Sequence, residues 1–313
     1  MSTARSRSTL RYWVLSFAPV FALAIFLFSA GAGSTRAYAA AAACAAHSPA
    51  HRVALVELYS SEGCDSCPPA DRWLGQWKSG AAAQGIVPLA LHVDYWNSLG
   101  WTDRFAQPRF TERQQTLTKL AGAHTVYTPE VFVAGHELRD WSRRDWSRRD
   151  SFASRIDRLV AEPAQASIAL ALTPRMPGAF DVDAQFRSAA ASAANPLSAY
   201  LAVYENSLMS QVGAGENRGA TLHHERVVRQ WLGPIPLVAG HARIRQDIRI
   251  EDAPADAGTN ANANANANAN ANANANANAN ANANANDRFG VVAFVENDAT
   301  GDVLQATELA ACH

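Results

Sequence analysis

Two cysteines, Cys64 and Cys67, are separated by two residues and followed directly by Pro68 and Pro69. At this spacing one thiolate can attack a disulfide of another molecule, and the second cysteine can resolve the resulting mixed disulfide. Because proline is tolerated only in the first turn of a helix, a helix is predicted to begin near Cys67. The helix dipole favours a thiolate at its N-terminus. We therefore expect Cys64 to be the exposed nucleophile and Cys67 the inner, resolving thiol.

The N-terminal segment has the three parts of an export signal. Arg5, Arg7 and Arg11 precede an apolar stretch over 12–30, and small residues follow. Cleavage is predicted after Ala39, and the alanines at 41–43 would serve as well. One alternative is an uncleaved membrane anchor, since the apolar stretch approaches the ~20 residues that span a bilayer. A weaker alternative is a lipoprotein with its lipid on Cys44. Each of these predicts a periplasmic or secreted protein, with membrane contact only if the segment is not removed.

An exported chain with an even number of cysteines is expected to contain disulfides. Cys44 and Cys312 lie near the two ends of the mature chain, and the ends of a compact chain are often close in space. They are a candidate structural disulfide, with two unrelated thiols as the alternative.

Composition bounds the remaining possibilities. The chain has 313 residues, 27 Lys+Arg against 28 Asp+Glu, and 48% hydrophobic residues. This balance leaves no excess positive charge for nucleic acid, and the apolar content is sufficient for a core.

A strict Asn-Ala alternation over 260–286 is predicted to be a disordered surface loop, because neither residue favours strands. Trp-Ser-Arg-Arg-Asp, repeated over 140–150, is expected in an exposed loop.

Between these segments the chain divides near residues 162–167. The first part alternates apolar strand-length runs with amphipathic stretches, which indicates an α/β arrangement. The second part has short, often alternating runs separated by turn residues, which is typical of a β-sandwich. The predicted elements of the first part are strands at 53–59 and 86–93, helices at 68–84, 108–121 and 151–161, and a hairpin at 130–139. Those of the second part are strands at 167–173, 179–186, 198–204, 242–250, 290–295 and 303–309.

A second chemical feature lies far from the cysteines. Thr128-Pro129, an apolar strand and Gly135 resemble the cis-proline segment of the thioredoxin fold. In that fold the proline packs opposite the cysteine pair and the residue before it binds an extended substrate. The resemblance implies an α/β thioredoxin-like domain over 51–162, followed by an all-β sandwich-like domain over 167–313, with Thr128 and Pro129 as substrate-binding residues.

Longer motifs resemble a secreted bacterial family, domain of unknown function 1223. The matching segments are 56–64, 67–71, 92–96, 99–101, 127–129, 216–219, 222–224 and 227–229. The resemblance extends from about Val53 to the end of the chain, apart from the Asn-Ala insert. It implies a thioredoxin-like domain with a β-rich partner and supplies no reaction.

Other polar residues are supporting candidates. Glu57 is either a buried proton acceptor for Cys67 or a strand-end carboxylate facing solvent. His92 and Asp94 end a predicted central strand, where α/β folds gather functional groups, although hydrogen bonding within the structure is the simpler interpretation. His223 and His224 adjoin an apolar, helix-like stretch and are expected at the surface.

Three functions compete. The first is thiol–disulfide exchange with protein thiols and disulfides as partners, needing no cofactor or metal. The second is copper delivery, with the two thiolates and His92 or His124 as ligands. The third is a non-catalytic module in which Cys64–Cys67 is a permanent structural bridge.

Overall fold

The computed structural model describes residues 44–77, 84–138, 149–176, 179–250 and 288–311. Several predictions therefore fall outside the described residues: the export signal over 1–39, most of the five-residue repeat, the Asn-Ala loop over 260–286 and the partner thiol Cys312. The pairing of Cys44 with Cys312 stays a prediction.

The described chain contains three α-helices and a larger set of strands. The helices are α1 (Pro68–Gly75), α2 (Pro108–Leu120) and α3 (Arg149–Val160). The strands are β1 (Cys44–His47), β2 (Ala54–Ser60), β3 (Ile86–His92), β4 (Glu130–Val133), β5 (His136–Glu137), β6 (Ser167–Met176), β7 (Ala179–Arg187), β8 (Leu197–Glu205), β9 (Leu208–Gln211), β10 (Thr221–His224), β11 (Val227–Pro236), β12 (His241–Arg249), β13 (Phe289–Asn297) and β14 (Val303–Ala310). None of these three helices has the length and apolar character needed to cross a bilayer.

A large mixed sheet runs through both halves of the chain, with the eight-stranded order β14-β13-β8-β11-β3-β2-β4-β5. Strands β2 and β3 are parallel and buried along their whole length, as expected for strands covered on both faces. Strand β4 pairs antiparallel with β2 and then with β5. The two halves meet where β11 pairs in parallel with β3 and antiparallel with β8. Strands from both sides of the predicted boundary at 162–167 thus belong to one sheet.

A second, antiparallel sheet has the order β1-β6-β7-β12. Its apolar side chains share a core with those of β8 and β13, so this part of the molecule is sandwich-like. Leu170 and Phe186 contribute from one sheet, and Leu201 and Val291 from the other. A separate core lies between the helices and the β2–β3 region, and it includes Leu55, Leu89 and Phe110. Strands β9 and β10 pair with each other in a small antiparallel sheet. The described residues therefore form a mixed α/β structure with a large mixed sheet, a four-stranded antiparallel sheet and this two-stranded one.

Two predicted elements differ from the structure. Helix α1 ends at Gly75, earlier than the predicted end at residue 84. The apolar stretch after His224, interpreted as helix-like, is strand β11 in the middle of the large sheet. Its partners β3 and β8 supply the hydrogen bonds that make it a strand, and neither is adjacent to it in sequence.

The turn between β4 and β5 depends on Gly135. Its φ of +83° lies in the left-handed region, and a Cβ there would lie 1.7 Å from the carbonyl oxygen of Gly301. Only glycine allows this close approach of two backbones. The hairpin is therefore held tightly against the turn that precedes β14.

Candidate functional site

The cysteine pair lies where strand β2 passes into helix α1. Cys64 and Cys67 form a disulfide with their Cα atoms 5.5 Å apart, and Cys67 is the N-cap residue of α1. Pro68 and Pro69 occupy the first helical turn, as predicted. The site is thus a closed Cys-x-x-Cys pair at the start of a helix.

Both cysteines are buried with 0% exposure, so the expectation that Cys64 is exposed at the helix tip is wrong. The two residues between them, Asp65 and Ser66, are exposed. The pair therefore lies directly beneath the surface. The Cys64 Sγ is also 3.3 Å from the Ser66 hydroxyl.

The cysteine turn is bonded to the second half of the chain through residues 213–217 between β9 and β10, here called the cap segment. The Asn217 side-chain amide donates to the carbonyl oxygens of Glu62 (2.9 Å) and Cys64 (2.8 Å). The Asp65 backbone N–H donates to the Glu216 carboxylate at 3.1 Å. The second half of the chain therefore holds the backbone around the buried Cys64.

Trp101 supports the cap segment from below. A Cβ on Gly213 would be 3.1 Å from the Trp101 ring, and one on Gly215 would be 3.4 Å from its Cβ. The Trp101 indole N–H donates to the Glu62 carboxylate at 2.7 Å. The Trp101 side chain is therefore fixed by hydrogen bonding and covered by the cap.

Beneath the cysteine turn lies a group of buried ionisable and polar side chains, here called the histidine–carboxylate cluster. Its members come from β2, the loop after it, α1, β3, the loop before α2, and β10. They are Ser60, Glu62, Asp71, His92, Asp103 and His224, each 9% exposed or less.

Two histidines organise this cluster. His92 Nδ1 lies 2.6 Å from Asp103, which also accepts the backbone N–H of Glu62 at 2.9 Å. His224 lies 3.4 Å from Glu62 through Nε2 and 3.4 Å from Asp71 through Nδ1. The two imidazole rings are 5.1 Å apart at 82°. Each histidine thus lies beside at least one carboxylate, and the contact between the two rings joins the two pairings into one cluster.

The surroundings favour the charged forms of both histidines. Burial alone would lower the pKa of His224, but Asp71 and Glu62 outweigh burial and raise the pKa to about 10. Burial would likewise lower the pKa of His92, and the charge of Asp103 raises it above its ordinary value. The pKa of Asp103 is lowered, because His92 and two backbone N–H groups offset the effect of its burial.

The Thr128–Pro129 segment lies at the same end of the large sheet. Its peptide bond is cis, and the next residue, Glu130, pairs with Tyr59 at the end of β2. The Trp96 indole N–H donates to the Thr128 hydroxyl at 2.8 Å, and a Cβ on Gly63 would be 3.3 Å from the Trp96 Cβ. Trp96 therefore connects this segment to the residue before Cys64. Substrate binding by Thr128 and Pro129 stays a prediction.

The supporting candidates have different positions. Glu57 is fully buried and bonded to Arg113 at 2.6 Å, so it is not a solvent-facing carboxylate. Its role as a proton acceptor for Cys67 stays a prediction. Asp94 is half-buried and accepts the Thr111 hydroxyl at the start of α2. Of the three candidates, only His92 belongs to the histidine–carboxylate cluster.

The copper alternative gains no support from the geometry. His92 is engaged by Asp103, and His124 is an exposed loop residue. Within the part of the chain that the structure describes, no group of three or more His, Cys, Asp or Glu side chains could hold a metal ion.

Sequence reasoning missed His224, which is 2% exposed although the expectation placed it at the surface. The sequence signal that could have found it is the period of two in strand β10. In that strand Leu222 and His224 are buried, while Thr221 and His223 are exposed. A strand interpretation of these four residues places His224 on the inner face. The roles of Asn217 and Trp101 had no such local signal.

Comparisons with known proteins bear on the family and the fold. The model of a family described as "Protein of unknown function (DUF1223)" matches residues 55–263. A protein of Agrobacterium tumefaciens, AGR_C_4864, has a similar structure, with a TM-score of 0.52, 20% identity, and coverage of 84% of this chain and 96% of that one. HBP35 of Porphyromonas gingivalis matches with a TM-score of 0.54, 15% identity, and coverage of 84% and 76%. No curated protein matches the sequence. At these identities the structural matches concern the fold alone.

Proposed function

The chain belongs to the DUF1223 family, whose description names no reaction, and from its site we propose that it is an exported thioredoxin-like thiol–disulfide oxidoreductase acting on protein disulfides. One observation carries the proposal: the Cys64–Cys67 disulfide lies at the start of α1, directly after the central strand β2. The cis Thr128–Pro129 segment at the same end of the sheet supports it. The predicted export signal supports a periplasmic or secreted location, where disulfides persist.

The proposed reaction uses only the two sulfurs. In the reduced protein, the Cys64 thiolate attacks one sulfur of a substrate disulfide and releases the other as a thiolate. The Cys67 thiolate then attacks the Cys64 sulfur, and the second substrate sulfur leaves. The protein ends as the disulfide and the substrate as a dithiol, so two electrons pass to the substrate; the reverse direction oxidises it.

For this reaction the substrate disulfide must reach the Cys64 sulfur, which is buried in this structure. Cys64 is covered in the disulfide form, so exchange needs the cap segment to move away from the cysteine turn. Asn217 and Glu216 hold the cap by side-chain hydrogen bonds to the backbone at Glu62, Cys64 and Asp65. Few bonds therefore have to break for a substrate to reach Cys64.

The test is a trapping experiment in the full chain. Replacing Cys67 by Ser leaves Cys64 without its resolving partner, so substrate proteins accumulate as mixed disulfides on Cys64. A Cys64→Ser, Cys67→Ser double variant is the matched control. If the single variant traps no partner and the wild type neither reduces nor oxidises a protein disulfide, the proposal fails.

The burial of both sulfurs favours a second candidate, a non-catalytic protein in which the Cys64–Cys67 disulfide is a structural bridge. Structural disulfides in exported proteins have reduction potentials below about −300 mV. A potential below that value, together with failure of the trapping experiment, supports the bridge. A higher potential supports exchange.

A further inference from the structure

We propose that His224, on strand β10 of the second half, is a positioning residue that sets the reduction potential of the Cys64–Cys67 pair through Glu62 and Asp71. This deepens the proposed function by assigning control of the redox pair to a histidine outside the first half of the chain. The potential can be measured without a substrate, so the two proposals can fail separately.

The geometry places His224 against both ends of the cysteine turn. Glu62 precedes Cys64 by two residues, and Asp71 follows Cys67 by four, with its backbone N–H bonded to the Cys67 carbonyl at 3.1 Å. His224 lies 3.4 Å from each carboxylate, one on either side of its ring. A change at His224 is therefore felt on both sides of the disulfide.

The contact is a matter of charge more than of directional bonding. A distance of 3.4 Å is long for a charge-assisted hydrogen bond, and within the described residues neither His224 nitrogen has a hydrogen-bond partner of good geometry. Because all three side chains are buried, their Coulomb interaction is screened less than it would be in water. The imidazolium thus balances two carboxylates beside the cysteines.

Other charged groups face the same site. His92 lies against the His224 ring, and it is paired with Asp103. Phe105 also packs on His224, and the guanidinium groups of Arg104 and Arg229 lie over the Phe105 ring. These groups are common to the wild type and to the variants below, so a difference between the proteins reports on His224.

Reduction changes the charge that His224 faces. The disulfide is neutral; two electrons and one proton convert it to one thiol and one thiolate. A positive imidazolium nearby stabilises the thiolate, and therefore the reduced form. Removing that charge, with two carboxylates left in place, makes the disulfide harder to reduce.

The experiment is a glutathione redox titration of the full chain with the variant His224→Gln. We expect the equilibrium to shift at least tenfold toward the disulfide, about 30 mV to more negative potential. His223→Gln is the matched control, since this neighbouring residue is exposed on the same strand, and it is expected to leave the potential unchanged. A potential in His224→Gln equal to that of the wild type overturns the proposal.

A second variant gives the opposite sign and remains available if His224→Gln does not fold. Asp71→Asn removes a negative charge from the same site and leaves the imidazolium less balanced, so the equilibrium is expected to shift toward the dithiol. A shift toward the disulfide, or no shift, overturns the proposal. A shifted potential, with no trapped substrate and no activity of the wild type on a protein disulfide, leaves this inference standing and defeats the oxidoreductase proposal. Trapping with unshifted potentials supports the oxidoreductase proposal and overturns this inference.

Discussion

Two of the buried ionic groups that join the halves of the described chain differ in kind. In the first, Arg113 of α2 binds Glu57 of β2 and Glu296 of β13, each at 2.6 Å. In the second, His224 of β10 faces Glu62 and Asp71 at 3.4 Å beside the disulfide. The first group has short bonds to a cation that does not titrate; the second has long contacts to one that does.

The surroundings reinforce this difference. The Arg113 guanidinium also lies over the rings of Tyr200, Trp231 and Phe294, at 5.0–5.5 Å from their centres. The Arg113 guanidinium is always protonated, and its contacts with two carboxylates and three aromatic rings fix its orientation. We infer that the Arg113 group pins the halves together, while the His224 group is suited to respond to a change of charge at the cysteines.

The largest expected effect comes from breaking the Arg113 group. Arg113→Met leaves Glu57 and Glu296 buried without their partner, and the free energy of unfolding is expected to fall by about 3–5 kcal/mol. Urea denaturation measures this loss. Lys119→Gln is the control, because Lys119 is exposed on the same helix. A loss within the range of a surface ion pair, below about 1 kcal/mol, would show that Arg113 does not pin the halves.

The next effect is the pH dependence of stability that His224 confers. Its pKa is raised to about 10 in the folded protein, from an unfolded value of 6.5. The stabilisation is therefore fully present below pH 6.5 and is lost as the pH rises toward about 10. We expect the free energy of unfolding to fall by about 1–3 kcal/mol, the cost of leaving buried polar groups without their partner.

Urea unfolding at a series of pH values, in wild type and in His224→Gln, tests this expectation. The variant should lack the part of the pH dependence that His224 causes, and His223→Gln should keep it. Identical pH profiles for wild type and His224→Gln would show that the His224 group, like the Arg113 group, does not make stability depend on pH.

The smallest effect on stability is expected at the cap segment. Asn217→Ala removes two hydrogen bonds of a half-buried side chain, and we expect a total loss of about 0.5–1.5 kcal/mol, because water can replace these bonds. The disulfide should nevertheless be reduced several-fold faster by dithiothreitol, because its cover is weakened. Arg218→Ala, an exposed neighbour, serves as the control. An unchanged reduction rate would mean that the cap does not limit access to Cys64.

Much of the first half could be predicted locally. Pro68 and Pro69 mark the start of α1, Gly135 marks the turn between β4 and β5, and Thr128-Pro129 marks the cis segment. Each of these features depends on the conformational limits of one or two residues, which neighbouring sequence reveals.

The placement of strand β11 could not be predicted in this way. Its residues combine the apolar pairs Val227-Val228 and Trp231-Leu232 with polar residues and prolines, without strict alternation. Its strand conformation depends on hydrogen bonds to β3 and β8. Short apolar runs do not distinguish buried strands from buried helices. Sequence reasoning divided the chain near residues 162–167, whereas one sheet passes through both halves.

The sequence by itself determined the chemistry available to this protein: a Cys-x-x-Cys pair at a helix start, a threonine–proline segment, and an N-terminal segment typical of export. The tertiary structure alone decided that both cysteines are buried, that Asn217 bonds to the backbone of the cysteine turn and that His224 faces Glu62 and Asp71 on either side of it. The reason is that burial and charge depend on contacts between residues about 150 positions apart, which no local pattern encodes.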